Sequence, residues 1–430
     1  MKRNILFLCH RLPYPPNKGD KIRSYALLRH LAARGRVSLA CFIDEREDLQ
    51  HLGTVRALAR GECHFEFLGP RAKMWRIACA LIAGKAITTA CFGSSRLQQW
   101  VDRTLREVSY DDVVIFGSAM APYLLKADFP KQRVMFDMVD IDSDKWKQYA
   151  AGSRGLLGWV YRREARTLED LEREAAGAFG RTLLVSPFEA ETFRQIAPAS
   201  AAKIGSLTNG VDLETFSPGI SENPFPADEI SIVMTGRMDY RPNYEGALWF
   251  TAEIMPLISK SLPNARVYFV GAGPPRALRD IAGPNVVVTG NVPDVRPYLQ
   301  FAKAVIAPLR IARGVQNKVL EAMAMQKPVV ATHEATRSLR VEPGNQLWVE
   351  NDPARFAAAV LAALQSPDRD RVAQNGHQYV EHYHNWPRLL ADFDLELDAL
   401  RSSSPGASEG HSRRGPVDTQ REAAGIGAGR

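Results

Sequence analysis

Val305-Ile-Ala-Pro-Leu-Arg-Ile-Ala-Arg-Gly-Val-Gln-Asn-Lys-Val-Leu-Glu-Ala-Met-Ala-Met-Gln-Lys-Pro-Val-Val-Ala331 reads as a buried strand, a short loop with Gly314, a compact helix, a turn at Gln326–Lys327 and a second buried strand. That is a βαβ unit, with the loop and the helix start at the carboxyl end of the first strand. A helix start offers unpaired N–H groups and a partial positive charge, a natural seat for phosphate. Asn317 stands at that start, and Lys318 adds a full charge in the first turn. Glu321 follows three residues on, along the same face. A carboxylate there is poorly placed for phosphate and well placed to accept two hydrogen bonds from a ribose diol. The bland alternative is a core helix whose Lys and Glu form a solvated pair. Phosphate seat plus diol acceptor points to a nucleotide, and to a nucleotide-sugar.

The same alternation runs outward in both directions. Ile5–Cys9 is an apolar run, followed by the loop His10-Arg-Leu-Pro-Tyr-Pro-Pro-Asn-Lys-Gly-Asp20, a helical pattern (Ile22, Tyr25, Ala26, Leu28, Leu31) ending near Gly35, and a strand at Val37–Ile43. Strand, helix, strand with short connections predicts a parallel, doubly wound sheet. Further strands are expected at 65–68, 112–116, 133–137 and 182–186. A second series is expected at 230–235, 265–271, 286–289, 304–307 and 329–331. Turn residues crowd Asn209–Pro226 between the two series, which marks an inter-domain connection.

Leu-Glu-Ala-Met-Ala with Lys-Pro-Val-Val-Ala resembles the donor-site signature of glycosyltransferase family 4, which has the GT-B fold. The resemblance implies two tandem Rossmann-like domains facing each other across a cleft that holds donor and acceptor. It places residues 1–208 in an acceptor-side domain, 209–228 in the linker and 229–375 in the donor domain. Residues 376–400 then form a helix returning to the first domain, and 401–430 a disordered tail by its Ser, Gly, Pro and Arg composition. The family carries a Glu, seven intervening residues and a second Glu. Glu321 matches the second, which contacts the donor ribose; the first, which touches the transferred sugar, is Arg313 here. Asn209-Gly-Val-Asp212 looks like the family linker, and Ser186–Ala190 and Gly290–Val295 resemble its flanking loops. Pro-Tyr-Pro-Pro-Asn-Lys-Gly-Asp and Asp137-Met-Val-Asp-Ile-Asp-Ser-Asp-Lys-Trp146 are similar to a bacterial subgroup associated with PEP-CTERM and exosortase exopolysaccharide systems.

Thr235-Gly-Arg-Met-Asp-Tyr-Arg-Pro-Asn243 follows a strand, and Arg237 has no apolar face to complete. The resemblance assigns Arg237 to the donor diphosphate, with Arg241 as an approximate second cation. A departing diphosphate gains charge, so such cations suit it. Gly19 would let backbone approach a phosphate or sugar, although an ordinary βα turn explains it nearly as well. Gly271-Ala-Gly273 fails the dinucleotide fingerprint, with Arg at 276, and fits the family's nucleotide-side loop. Gly84-Lys85 fails as a phosphate-binding loop because Cys79 and Ala86 occupy its other defining positions. Asp140-Ile-Asp142 could hold a hard cation if extended. The fuller expectation is no metal, with Asp137, Asp140, Asp142 and Asp144 lining the cleft and Asp140 orienting an acceptor hydroxyl or acting as base.

The net charge of +7 favours anionic partners. No zinc-finger spacing or RNP-like segment points to nucleic acid. The five cysteines, all within the first quarter and in no C-x-x-C spacing, read as reduced core residues. No secretion signal and no apolar window of ~20 residues is found, so the expected place is the cytoplasm, at the inner face of the membrane. Arg154–Arg166 and Arg71–Ile82 mix Leu, Trp and Ile with Arg. They fit an anionic membrane surface and equally fit amphipathic core helices with solvated arginines. The expectation is a retaining, metal-independent glycosyltransferase without cofactor. It would take a nucleoside-diphosphate sugar as donor and a glycan or polyprenyl-linked glycan as acceptor. A nucleotide-sugar epimerase using the same donor site and a degenerate, non-catalytic sugar-nucleotide scaffold are the rivals.

Overall fold

Ile5, Leu6, Phe7, Leu8 and Cys9 have no solvent exposure, as expected of a strand covered on both faces. The computed structural model describes residues 3–69, 74–77, 80–81, 84–219 and 222–402. Two parallel sheets result. The first contains β1 (Arg3–Cys9), β2 (Gly35–Ile43), β3 (Arg60–Phe67), β4 (Asp112–Phe116), β5 (Val134–Val139), β6 (Arg181–Leu184) and β7 (Ile204–Ser206), in the order 3-2-1-4-5-6-7. The second contains β8 (Ile230–Thr235), β9 (Ala265–Val270), β10 (Val286–Gly290), β11 (Ala304–Ala307), β12 (Val329–Ala331) and β13 (Trp348–Val349), in the order 10-9-8-11-12-13. Each order reverses beside the first strand of its domain, which opens a crevice at the carboxyl ends there. The architecture is the expected GT-B one.

The helices used below are α1 (Gly19–Arg34), α2 (Asp142–Ala151), α3 (Gly155–Ala178), α4 (Pro187–Ile196), α5 (Arg241–Trp249), α6 (Asn317–Ala324), α7 (Pro353–Gln365), α8 (Arg369–Tyr383) and α9 (Trp386–Ser402). Strands β7 and β13 escaped the sequence reading because runs of three and two residues carry no pattern. β3 starts earlier than expected: Arg60-Gly-Glu-Cys-His is a polar edge segment, paired to β2 on one side only.

The return to the first domain also starts later than residue 376. Val372, Ala373, Gly376, Tyr379 and Val380 are the buried face of α8, and His377 bonds the Ala324 carbonyl of α6 at 2.8 Å. The crossing lies at His384–Asn385, where Val211 N–H donates to the His384 carbonyl at 2.7 Å. α9 then docks on the first domain through His30 and Arg34 to Asp394, and through Arg181 to Glu396. The two chain crossings are thus bonded to each other. The tail beyond Ser402, with Cys79 and part of the Arg71–Ile82 stretch, lies outside the described residues.

Candidate active site

Three βα loops of the second domain converge at the crevice. Gly271, at φ +145°, lies so close to the β8 loop that a Cβ there would fall 1.9 Å from the Gly236 carbonyl oxygen. Only glycine fits that approach. Lys318, in the first turn of α6, reaches across to the same loop: a Cβ on Gly236 would lie 3.0 Å from its Nζ. Lys318 Nζ donates to Asn243 Oδ1, while Asn243 Nδ2 donates to the Arg237 carbonyl at 2.7 Å. Asn243 is 5% exposed and joins the two expected phosphate loops. The sequence reading passed over it as the end of a loop. An amide directly after Pro242 at a helix start was the available signal.

Glu321 lies in the crevice where α6 completes its first turn. Its carboxylate forms no hydrogen bond or ion pair among the described residues, so the solvated Lys–Glu pair does not form; Lys318 binds Asn243 instead. Burial raises Glu321 to about 7, with the nearby Lys318 charge opposing the shift. Burial lowers Lys318 to about 8, with Glu321 opposing. A recessed cation and a recessed, unpartnered acceptor stand ready for a polar ligand.

Arg237 is half exposed and grips Asp239 with two bonds, of 3.1 and 2.6 Å. It also faces the first domain, 3.7 Å from Glu45, which holds Lys18 at 2.7 Å. Beside Lys18, Gly19 looks onto Asn317: a Cβ there would lie 3.9 Å from Asn317 Nδ2. The Gly19 loop therefore caps the start of α6 from across the cleft. Arg241 is not brought to this cluster. It is 61% exposed and pairs along its own helix with Glu245 at 2.7 Å.

Arg313 turns away from the nucleotide side as well. Its guanidinium binds Asp144 and approaches Glu189 at 3.6 Å, both in the first domain. Gly314, at φ +59°, brings backbone against Asp140, whose Oδ1 would be 2.5 Å from a Cβ at that position. Asp140 Oδ1 has no hydrogen-bond partner. Burial, then Glu189, then Asp142 raise its carboxyl to about 7. The preceding Val139 holds φ +71°, a costly conformation for a β-branched residue, and this strain sits beside the candidate site.

The four aspartates separate by role. Asp137 does not line the cleft: it is fully buried and bidentate to Arg23, at 2.7 and 2.9 Å. Asp140 faces Gly314, Asp142 opens α2, and Asp144 holds Arg313. Asp140 and Asp142 do not sit as an extended pair, because the helix begins between them. Arg23 also donates to the Leu207 carbonyl at 2.6 Å and to Asn209 Oδ1 at 3.2 Å. Asn209 Nδ2 then donates to Asn317 Oδ1 at 3.1 Å, linking the first domain and the linker to the donor-side helix. His10 was also missed. It stacks on Phe116 and bonds Asp20 at 3.2 Å at the carboxyl end of β1.

Residues 229–366 match the family described as Glycosyl transferases group 1. The second domain is a group 1 glycosyl transferase domain, and the chain is a glycosyltransferase. Solved structures agree in fold. Sucrose-phosphate synthase from Thermosynechococcus elongatus aligns with a TM-score of 0.71 at 18% identity, over 94% of this chain and 100% of that one. HepE from Anabaena, solved with UDP and glucose, gives 0.64 at 14%, over 92% and 100%. WaaG, a glycosyltransferase of lipopolysaccharide biosynthesis, gives 0.60 at 16%, over 90% and 99%. No curated protein is similar enough in sequence to match. In this glycosyltransferase, the matched segment carries Arg237, Asn243, Gly271, Arg313, Gly314, Asn317, Lys318 and Glu321, while Gly19 and Asp140 approach from outside it.

The position of Arg313 carries a prediction. Arg313→Glu should not recreate a sugar contact; it sets a carboxylate against Asp144 and Glu189. Like charges so placed cost several kcal/mol. The expected result is a larger radius of gyration in solution scattering and weaker donor affinity. An unchanged radius with tighter donor binding would return Arg313 to the donor side.

Proposed function

We propose that this glycosyltransferase moves a sugar from a nucleoside diphosphate, with a uridine nucleotide the first to test, onto a glycan or lipid-linked glycan acceptor. The setting proposed is exopolysaccharide assembly at the cytoplasmic membrane face, in keeping with the resemblance to the PEP-CTERM-associated subgroup. The observation that carries the reading is the joined seat: Lys318 and the Arg237 loop locked together through Asn243, with an unpartnered Glu321 beside them. Glu321 accepts from the ribose hydroxyls. Lys318 and Arg237 take the charge that grows on the diphosphate as the sugar–oxygen bond breaks, and they require no metal for it. Asp140, opposite Gly314, orients the acceptor hydroxyl. Retention of anomeric configuration follows the family resemblance.

Product analysis on a panel of nucleotide-sugars tests this reading. Transfer supports it; epimerised donor without transfer, or binding without chemistry, sinks it. Chelator should leave transfer intact, and loss with EDTA restored by manganese would overturn metal independence.

A pH profile follows from the two recessed charges. Glu321, raised to about 7, loses its carboxylate as pH falls through 7. Lys318, lowered to about 8, loses its charge as pH rises through 8. Thus kcat/KM, which reports the free enzyme, should form a narrow bell with its top between those values. Asp140 is also raised to about 7, so the Glu321 share is read in nucleotide affinity: Glu321→Gln should flatten the acid limb of binding and weaken it by about 1–3 kcal/mol, the size of a charge-assisted hydrogen bond. A full acid limb in that variant would assign the limb to another group.

A further inference from the structure

Helix α3 presents an apolar, basic surface that the donor and acceptor chemistry does not use. Leu156, Leu157 and Trp159 are 77%, 54% and 52% exposed in its first turns. The core face of the helix is elsewhere: Ala165, Leu168, Ala175 and Ala176 are its buried apolar residues. The core-helix reading of Arg154–Arg166 accounts for one face, and the exposed apolar residues are surplus to the core. Trp159, Arg162, Arg166 and Arg173 recur at helical spacing on the exposed side. With Arg154 just before the helix, these four arginines form no ion pair among the described residues. Asp170 falls between Arg166 and Arg173 on the same side, Glu174 follows Arg173, and Glu169 is taken by Lys147, so arginine remains in excess. Met74 and Trp75 are 71% and 72% exposed, and Arg163 of α3 bonds the Ala80 and Lys85 carbonyls at 3.0 Å.

Placement relates this surface to the cleft. α2 starts at Asp142 beside Asp140, and α2 and α3 form a hairpin. Its base is locked by buried Glu172, which accepts from Ser143 N–H at 3.1 Å and from its hydroxyl at 2.5 Å. The apolar tip, Leu156 to Trp159, stands some four turns of α3 from Glu172, about 20 Å from the base. Between them Trp146, Tyr149 and Tyr161 pack within 6.0 Å of one another, and Tyr149 neighbours Tyr240 of the second domain. An apolar tip, an amphipathic aromatic belt and unpaired arginines make the composition that settles at an anionic interface.

We infer that the α2–α3 hairpin docks this glycosyltransferase on an anionic phospholipid bilayer, Leu156, Leu157 and Trp159 entering the headgroup region and Arg154, Arg162, Arg166 and Arg173 binding lipid phosphates, so that the cleft mouth stands about 20 Å above the surface. The inference rests on the proposed transfer to a membrane-held acceptor and specifies the surface and its orientation.

Co-sedimentation of the full chain with vesicles tests it, using equal phosphatidylglycerol and phosphatidylcholine against phosphatidylcholine alone. The wild type should partition to the anionic vesicles and, weakly, to the neutral ones. Each arginine contributes about fivefold, so Arg162→Ser/Arg166→Ser/Arg173→Ser should lose on the order of 100-fold in partition. Leu156→Ser/Leu157→Ser/Trp159→Ser should also release the protein, with nucleotide binding unchanged in both variants as the measure of intact fold. Equal partition to both vesicles, wild-type partition of either variant, or a wild-type dimer that the apolar variant splits would overturn the inference. Transfer to a soluble acceptor without vesicle binding would sink only the docking surface. Vesicle binding without any nucleotide-sugar affinity would sink only the transferase reading.

Discussion

Lys318→Ala should lower turnover by about 10²–10³, the usual loss when one preorganised donor to a developing anion is removed. Its affinity for a nucleoside monophosphate should change much less, because the growing charge lies on the diphosphate. Lys318 is recessed and already aimed at the Gly236 loop, so no side-chain ordering is left for the transition state to supply. Arg237→Ala should cost less, about 10–100-fold, since that guanidinium is half exposed and shares its charge with Asp239 and Glu45. The two losses should not add. Asn243 holds Lys318 against the loop that carries Arg237, so both cations are assigned to one diphosphate and neither alone completes the seat. The measurement is kcat for both single variants and the double, with monophosphate and diphosphate affinities alongside. Strict additivity, or near-normal turnover in Lys318→Ala, would move the donor seat elsewhere.

Arg23→Ala should give the largest stability change of any single substitution considered, about 3–5 kcal/mol, because it strands a fully buried carboxylate. Asp137 would keep only the Val139 N–H and no countercharge, and the Leu207 carbonyl would lose its 2.6 Å bond. Asn209 would lose its support too, so the bond to Asn317 should weaken and nucleotide affinity fall with it. Two-domain chains need not unfold in one step, so denaturant transitions are best followed with a probe in each domain. The first-domain transition should shift and the second should shift little. Asp137→Asn, which removes the charge but keeps the shape, should be milder. Wild-type denaturation of Arg23→Ala would show that the pair contributes no stability.

The parallel strands of both domains were legible because Ile5–Cys9, Asp112–Phe116, Ile230–Thr235 and Ala304–Ala307 are apolar but for Asp112, Ser231 and Thr235, which is what burial on two faces requires. The donor-side helix was legible for a local reason. Lys318 and Glu321 fall within one helical turn of the loop that must hold phosphate, so spacing alone put them on one face. Arg237 followed from the same logic, as a polar residue just past a buried strand.

What spacing cannot carry is the partner of a long side chain. Arg241 was placed at the donor because cations suit a diphosphate, and Arg313 because it occupies the family position that touches the transferred sugar. Their guanidiniums reach several ångströms from the backbone and go where a carboxylate waits, Glu245 for one and Asp144 with Glu189 for the other. Asp137 and Asp140, three residues apart in one acidic run, were read alike. A fully buried arginine 114 positions away made the first structural, and a glycine of the opposite domain left the second unpaired. By itself the sequence determined the two sheets, the crevice and the residues that local periodicity aims into it. Only the tertiary structure decided which charges stay free for a ligand, because burial and pairing across the cleft depend on residues that no local pattern relates.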